Sequence, residues 1–284
     1  MSIHIRALDT KDDALEVVGG KGRSLAKLAN AGFQVPGGFQ VTTAAYRSFV
    51  ADHGLQEQII ALARPAVVEG RASFEQSSTA IGELFADTGL SAEISAEISD
   101  AYRALDGKPA VAVRSSANAE DLPGLSFAGQ QETFLNIDGF DNVKRAVHEV
   151  FASLFNDRAI SYRVHRGYAH ENVALSAGVQ KMVRSETSAS GVMFTLDTES
   201  GYRDAVFVTG AWGLGETVVQ GAVNPDEFYV HKPTLAAGRP AVLRRTLGSK
   251  RIKMVYTDDA AAGRSVKTVD VAHADRQRFC LSDE

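Results

Sequence analysis

The pattern of apolar and polar residues predicts two strands joined by a polar loop in the middle of the chain. Val111 and Val113 form a short β-branched run, and Thr133–Ile137 is again apolar and β-branched, so both segments have the composition of strands. A helix follows, in which apolar positions repeat at intervals of three and four residues and form a buried face. These positions are Val143, Ala146, Val147, Val150, Phe151, Leu154 and Phe155, with Asp141 as the expected N-cap and His148 on the solvated side.

The remainder of the chain divides into a helical first part and a strand-rich second part. Before the central strands, one helix is expected to end at Gly32, and a later helix is expected to be capped by Ser91. After the central helix, strands are expected at residues 174–183, 191–196, 205–208 and 227–231, and a strand pair at 251–256 and 266–271. Residues 279–284 are expected to begin a helix capped by Ser282, which suggests that a longer protein has been cut.

The loop between the two central strands contains residue types that bind phosphate. Arg114 lies where the first strand ends, and its planar guanidinium matches phosphate oxygens. Gly129 has no Cβ to block the approach of backbone N–H groups to an anion. The same residues also suit an ordinary hairpin connection, and they match neither of the common glycine-rich phosphate motifs. Both interpretations stay open on these residues alone.

Two other glycine-containing segments have the same ambiguity. Gly20 and Gly22 flank Lys21 just before a predicted helix, where a cation beside exposed N–H groups favours an anion. The alternative is a solvated lysine at the start of a helix. At residues 213–216, glycines lie next to the carboxylate of Glu216, which suits either a metal–phosphate group or an ordinary turn.

The composition excludes several classes of protein. The chain has 284 residues, enough for one large or two small domains, and is 44% hydrophobic and 23% charged, as soluble globular proteins are. A net charge of −5 without a Lys/Arg-rich run argues against nucleic-acid binding. Cys280 is the only cysteine, which excludes an internal disulfide framework and a cysteine zinc site. Neither a signal peptide nor a membrane-spanning apolar run is found, so a cytoplasmic protein without membrane contact is expected.

Five short motifs follow one another along the chain: VGGKG at 18–22, VPGGF at 35–39, AVRSS at 112–116, FAGQQET at 127–133 and GLGE at 213–216. Together they resemble the N-terminal nucleotide-binding domain of the phosphoenolpyruvate synthase and pyruvate phosphate dikinase family. Longer stretches at residues 150–163, 191–201 and 219–233 are closer to the synthase branch of that family. The resemblance covers nearly the whole chain, with the segments in the family's order.

The resemblance implies an α+β fold of the ATP-grasp type, in which two lobes hold ATP between them, incomplete here at the C-terminus. The lobes are expected at residues 1–109, rich in helices, and 110–284, rich in strands. Lys21 and Arg114 are implied to contact the ATP phosphates during catalysis. The resemblance assigns the other nucleotide contacts to Gly129, Gln130, Gln131 and Thr133 at the triphosphate, to Gln180, Lys181, Met182 and Val183 along the adenine, and to Glu216 near the nucleotide.

The family is expected to use ATP and Mg²⁺ to phosphorylate a relay histidine on a separate domain, which then passes the phosphate to pyruvate on a (β/α)₈ barrel. None of the seven histidines here has the setting of that relay histidine. The family's metal-binding acid and a phosphate-contacting glutamine are expected beyond the last residue of this chain. The metal ligands therefore stay unassigned, the phosphohistidine and pyruvate-binding domains are expected partners, and a homodimer is left open.

Two alternatives to the synthase stay open. The related antibiotic phosphotransferase that inactivates rifamycins shares the motifs of Lys21 and Arg114, although residues 224–233 and 244–250 favour the synthase. A non-catalytic nucleotide-binding or interaction module is also compatible with the chain, because its catalytic set is incomplete.

Overall fold

The computed structural model describes residues 2–68, 71–118, 132–257 and 266–282. Helices and strands are both present along the chain, so the α+β class is confirmed. The contacts divide the chain into two compact units, one up to Met182 and the other from Val183. Among the described residues, no helix combines the length and the apolar character needed to cross a membrane.

The first unit is built on an antiparallel sheet of five strands. The order across this sheet is first, second, seventh, fifth and sixth strand of the chain, and the third and fourth strands pair separately. The strands are β1 (Ile5–Ala7), β2 (Gly38–Val41), β3 (Ala66–Val68), β4 (Arg71–Ser73), β5 (Val111–Ala117), β6 (Thr133–Ile137) and β7 (Leu175–Lys181).

Helices of the first unit cover the sheet and close its apolar core. Ser91 caps one of them as predicted, because its side chain accepts a hydrogen bond from the backbone N–H of Ile94. The helices are α1 (Leu15–Asn30), α2 (Thr43–Asp52), α3 (Leu55–Leu62), α4 (Glu75–Ala86), α5 (Ala92–Arg103), α6 (Phe140–Ala152) and α7 (Asp157–Arg166), with 3₁₀ turns at Ser153–Phe155 and His170–Asn172.

The apolar stripe predicted for the central helix is confirmed on α6 and the turn that follows it. All seven positions are at most 4% exposed, and they join one core cluster with Phe49 of α2 and Phe85 of α4. The N-cap is Gly139 rather than Asp141, which lies in the first turn of the helix. The periodicity therefore identified the buried face correctly and placed the cap two residues too late.

The prediction that His148 is solvated is wrong. Its ring centroid lies 5.3 Å from that of Phe49 and 6.2 Å from that of Phe85, and its Nε2 is buried without a hydrogen-bond partner in the described part of the chain. Because α2 and α4 both pack against α6, they cover a wider arc of the helix than the apolar stripe. Burial lowers the pKa of His148 below its usual value.

The predicted domain boundary at residues 109 and 110 falls inside the first unit. The reason is the pairing of β7, which runs antiparallel to β5 along the whole of β5 and to β2 on its other side. Residues from three separate parts of the chain therefore share one sheet. Composition along the chain changes near residue 110, but strand pairing places the division after Met182.

The second unit contains a four-stranded antiparallel sheet and a separate strand pair. In the four-stranded sheet, strands that follow one another in the chain are neighbours in the sheet. The separate strand pair confirms the one predicted near residues 251–271. Ser282 is not helical, and the residues predicted to follow it as a helix lie outside the described ranges. The elements are β8 (Ala189–Phe194), β9 (Ala205–Trp212), α8 (Glu216–Val219), β10 (Asp226–His231), α9 (Lys232–Ala236), β11 (Val242–Thr246), β12 (Ile252–Tyr256), β13 (Val266–Asp270) and α10 (His273–Arg276), with a 3₁₀ turn at Ser185–Thr187.

A buried ion pair joins three segments of the second unit. Lys250 Nζ donates to Asp226 Oδ1, and both side chains are 0% exposed. Asp226 also accepts the backbone N–H groups of Gly248 and Cys280, each at 2.8 Å. The carboxylate therefore fastens β10 to the segment before β12 and to the segment around Cys280.

Candidate functional site

Strand register brings two of the predicted phosphate-binding residues onto one face of the first sheet. Arg114 of β5 pairs with Thr133 of β6 on one side and with Gly178 of β7 on the other. Gly178 pairs in turn with Gln40 of β2. Because directly opposed residues in antiparallel strands point to the same face, Thr133, Arg114, Gly178 and Gln40 form one row across the sheet.

Gln180 lies on the same face of the sheet as this row, at the next position of β7 that points to that face. It is two residues from Gly178, and side chains of a strand alternate between the two faces. Lys181 therefore points to the opposite face. Of the four residues predicted to line the adenine, only Gln180 joins Arg114 and Thr133 on this face as a strand residue.

Helix α1 is fixed against β5 by a contact that requires glycine. Gly19 has φ 70°, in the left-handed region, and a Cβ at this position would lie 2.1 Å from the backbone oxygen of Ser116. Ser116 Oγ donates to Val18 O at 2.7 Å and accepts the N–H of Gly22 at 3.0 Å. These contacts hold Lys21, one residue before Gly22, directly over the end of β5, and Lys21 Nζ donates to Ser115 O at 3.2 Å.

A small cleft forms where α1 crosses the row of sheet residues. We call it the Lys21–Arg114 cleft, and its volume of about 20 Å³ is the space of a single water-sized group. Arg114 is exposed, and within the described ranges its guanidinium has neither a hydrogen-bond partner nor an ion-pair partner. The residues that line the cleft are Leu8, Lys21, Leu25, Gln40, Arg114, Ser115, Ser116, Gly178 and Gln180.

The electrostatic character of the cleft is positive. Two cationic side chains line it, and none of the described residues that line it carries a carboxylate. An anionic oxygen placed there would therefore meet charge-assisted donors from the described lining residues. The arrangement suits an oxygen of a phosphate or carboxylate group.

The end of β7 uses some of the backbone groups predicted to contact adenine. The N–H of Lys181 donates to Gly37 O at 2.8 Å, and the N–H of Met182 donates to Ala110 O at 3.0 Å. The carbonyl of Val183 accepts the N–H of Ser185 at 2.8 Å. An adenine at this strand end would therefore have to use other backbone groups of residues 180–183.

The remaining predicted site residues lie elsewhere or outside the described ranges. Glu216 belongs to the second unit, at the start of α8, where its Oε1 accepts a hydrogen bond from Gln220 Nε2 at 2.7 Å. Gly129, Gln130 and Gln131 lie outside the residues that the structure describes.

The described residues of the cleft do not fit a magnesium site, because Mg²⁺ prefers carboxylate and other oxygen ligands and the cleft presents cations. One group elsewhere in the described part of the chain could hold a metal ion, namely His4, Glu93 and Glu97, whose ligand atoms lie within 4.8 Å of one another. His4 Nδ1 is 3.1 Å from Glu97 Oε2. None of these three residues lines the Lys21–Arg114 cleft.

Gln40 and Gly178 are among the cleft residues that sequence reasoning did not assign to the site. Gln40 stands between Phe39 and Val41 in a buried strand, and Gly178 stands in the apolar β7. A glutamine in a strand that is otherwise buried is the signal that could have indicated a polar contact at this point, because an amide without partners is costly to bury.

Comparison with known proteins identifies the family. The chain matches the family described as pyruvate phosphate dikinase, AMP/ATP-binding domain, over residues 15–284. It is similar to proteins named phosphoenolpyruvate synthase from Pseudomonas aeruginosa, with 62% identity over 276 residues, from Neisseria meningitidis, with 58% over 279, and from Escherichia coli, with 53% over 274. These alignments cover 94–95% of this chain and 35% of each relative.

The chain therefore spans about a third of the length of the curated relatives it matches. The family match covers nearly all of it, including both units and every described residue of the cleft except Leu8. By this match and these identities, the chain belongs to the pyruvate phosphate dikinase AMP/ATP-binding domain family, with phosphoenolpyruvate synthases among its relatives.

Proposed function

We propose that this chain is the ATP-binding part of a phosphoenolpyruvate synthase and that it holds the phosphates of ATP at the Lys21–Arg114 cleft. The observation that carries the proposal is the position of Arg114. Its exposed guanidinium shares the cleft with Lys21 and has no counterion among the described residues. A phosphate group supplies the negative charge that this arrangement accepts.

The other predicted nucleotide contacts form part of the same proposal. Thr133 pairs with Arg114 in the row across the sheet. We expect its hydroxyl to donate to a second phosphate oxygen. We expect Gly129, Gln130 and Gln131 to cover the triphosphate, residues 180–183 to line the adenine, and Glu216 to approach the nucleotide. Together these contacts constitute the ATP-grasp arrangement that we propose for the fold.

In the longer protein, we expect the bound ATP to phosphorylate a histidine on a separate domain. The histidine would displace AMP at the β-phosphorus and water would cleave the β–γ bond to release phosphate, so that the β-phosphoryl group stays on the histidine until pyruvate receives it. Phosphoryl transfer depends mainly on positioning and on neutralising charge. Lys21 and Arg114 would supply both, and Mg²⁺ would add positive charge at the phosphates when it is bound.

The names of the relatives support the synthase over the rifamycin phosphotransferase. All three relatives described above are named phosphoenolpyruvate synthase, at identities of 53% to 62%. Assaying the longer protein with pyruvate and with a rifamycin as alternative acceptors tests this choice directly. Phosphorylation of the rifamycin alone would overturn the synthase proposal.

Calorimetric titration with Mg·ATP and with AMP tests the phosphate contacts. We expect Lys21→Ala and Arg114→Ala each to weaken ATP binding by about a hundredfold, because a charge contact at such a site is worth on the order of 3 kcal/mol. AMP, with a single phosphate, should lose less. Lys27→Ala is the matched control, since Lys27 is exposed on the same helix. Unchanged binding by folded Arg114→Ala, or no ATP binding by the unmodified chain, would refute the proposal.

A further inference from the structure

Gln40 is a buried polar side chain in an otherwise apolar strand. It is 1% exposed, between Phe39 at 4% and Val41 at 0%. Two glycines make room for its amide, since a Cβ at Gly22 would lie 3.0 Å from Gln40 Nε2 and a Cβ at Gly178 would lie 3.2 Å from it. The chain therefore forms a slot for this amide between α1 and β7.

One end of the Gln40 amide is fixed and the other has no partner. Ser176 Oγ donates to Gln40 Oε1 at 3.1 Å. In the part of the chain that the structure describes, Nε2 has no hydrogen-bond acceptor. An amide nitrogen carries two N–H donors, so Nε2 can donate to a partner from outside the chain.

The position of Gln40 connects it with the Lys21–Arg114 cleft. Gln40 lines the cleft, and it lies across the sheet from Arg114 with only Gly178 between them. Two strand spacings separate the Cα atoms of Gln40 and Arg114 by about 10 Å. The amide of Gln40 lies over Gly178, at 3.2 Å from where a Cβ would stand, so it extends from β2 across β7 toward the strand that carries Arg114.

We propose that Gln40 is a phosphate-contacting residue, whose Nε2–H donates to a phosphoryl oxygen of the nucleoside triphosphate held by Lys21 and Arg114. This inference rests on the proposed function and extends it to a residue outside the motifs that identify the family. Gln40, Lys21 and Arg114 all line this cleft, whose volume suits one oxygen-sized group, so we place one phosphoryl oxygen within reach of all three side chains. Ser176 acts as a positioning residue, because its Oγ donates to Gln40 Oε1 and leaves the amide nitrogen as the end available to the phosphate.

The test compares two substitutions by calorimetric titration with Mg·ATP and with adenosine. Gln40→Met keeps the size of the side chain and removes the donor, so we expect ATP to bind about five- to tenfold more weakly and adenosine to bind unchanged. Gln40→Glu places a carboxylate beside the phosphate, so we expect a loss of at least about fiftyfold for ATP. Gln34→Met is the matched control, because Gln34 is exposed.

The outcomes separate this inference from the proposed function. Loss of ATP binding in Lys21→Ala without any loss in Gln40→Met overturns the inference and leaves the proposed function standing. Equal losses for ATP and adenosine in Gln40→Met overturn it as well, because they indicate a distorted site rather than a lost phosphate contact. No ATP binding by the unmodified chain overturns both. Should Gln40→Glu fail to fold, Gln40→Met alone decides, and its melting temperature without nucleotide is expected within about 3 °C of the unmodified chain.

Discussion

Replacing Lys250 by methionine is expected to destabilise the second unit strongly. Lys250 and Asp226 are both fully buried and pair with each other, and Lys250 Nζ also donates to Gly248 O at 3.1 Å. The substitution Lys250→Met keeps most of the volume of the side chain and removes its charge. It therefore leaves the carboxylate of Asp226 buried without a counterion.

The size of the effect follows from what Asp226 retains. Removing one partner of a buried ion pair typically costs about 3–5 kcal/mol, because the remaining charge is uncompensated. Asp226 keeps two backbone N–H donors, from Gly248 and Cys280, and these stabilise the carboxylate in part. We therefore expect a loss near the lower limit, about 3 kcal/mol. Lys250 has φ 36°, in the left-handed region, which is equally unfavourable for lysine and for methionine. The backbone therefore does not change the expected loss of stability.

Urea unfolding monitored by tryptophan fluorescence measures the loss of unfolding free energy in the second unit. Trp212 is the only tryptophan of the chain and lies in β9 of the second unit. Lys267→Met is the matched control, since Lys267 is exposed on β13, and its unfolding free energy should change by less than about 0.5 kcal/mol.

A second substitution distinguishes charge burial from a packing defect. Asp226→Asn added to Lys250→Met removes the uncompensated charge, and the amide oxygen still accepts one backbone N–H. The double variant should regain at least about 1 kcal/mol relative to Lys250→Met. Two results would refute this reasoning. One is a decrease of less than about 1 kcal/mol in the unfolding free energy of Lys250→Met, and the other is a double variant that is no more stable than Lys250→Met.

Three further predictions concern other parts of the chain. Gly19→Ala should cost about 2–4 kcal/mol in urea unfolding, from positive φ and overpacking, whereas Gly32→Ala, with φ 86° and open space, should cost only about 1 kcal/mol; equal costs would contradict the close contact. Because burial lowers the pKa of His148, the unfolding free energy should fall as pH drops below about 6.5, and His148→Leu should reduce that fall between pH 7.5 and 5.5; an identical fall would contradict a buried imidazole. Burial and Asp226 raise the pKa of the Cys280 thiol to about 12, so iodoacetamide at pH 8 should label the folded chain more than about a hundredfold more slowly than the urea-unfolded chain; comparable rates would show an accessible thiolate.

Local pattern predicted the elements well because the relevant signals are short-range. Helix α6 follows from apolar spacing, and the pairing of β12 with β13 follows from two β-branched runs close together in the chain. Lys21, Arg114, Thr133 and Gln180 were assigned through family motifs, and register places the last three on one face of the sheet. The residues alone had left both a hairpin and a phosphate site open at Arg114, with the hairpin favoured.

Long-range packing accounts for what the sequence did not reveal. The division after Met182 depends on β7 pairing with β2 and β5, which are distant in the chain. The partial burial of His148 depends on two helices that only the fold places beside it. Gln40 gains significance only because Gly22 and Gly178, from two other elements, leave space around its amide.

The contact between Gly19 and Ser116 restricts how this site can change during evolution. A Cβ at position 19 would meet the backbone oxygen and carbon of residue 116, at 2.1 and 2.4 Å, as well as the side-chain oxygen at 2.4 Å. Shortening the side chain at position 116 removes only the last of these overlaps. No single side-chain replacement at position 116 can therefore act as a suppressor of a substitution at position 19. Variants that tolerate a larger residue there must shift the main chain of α1 or of β5, which changes the position of Lys21 relative to Arg114.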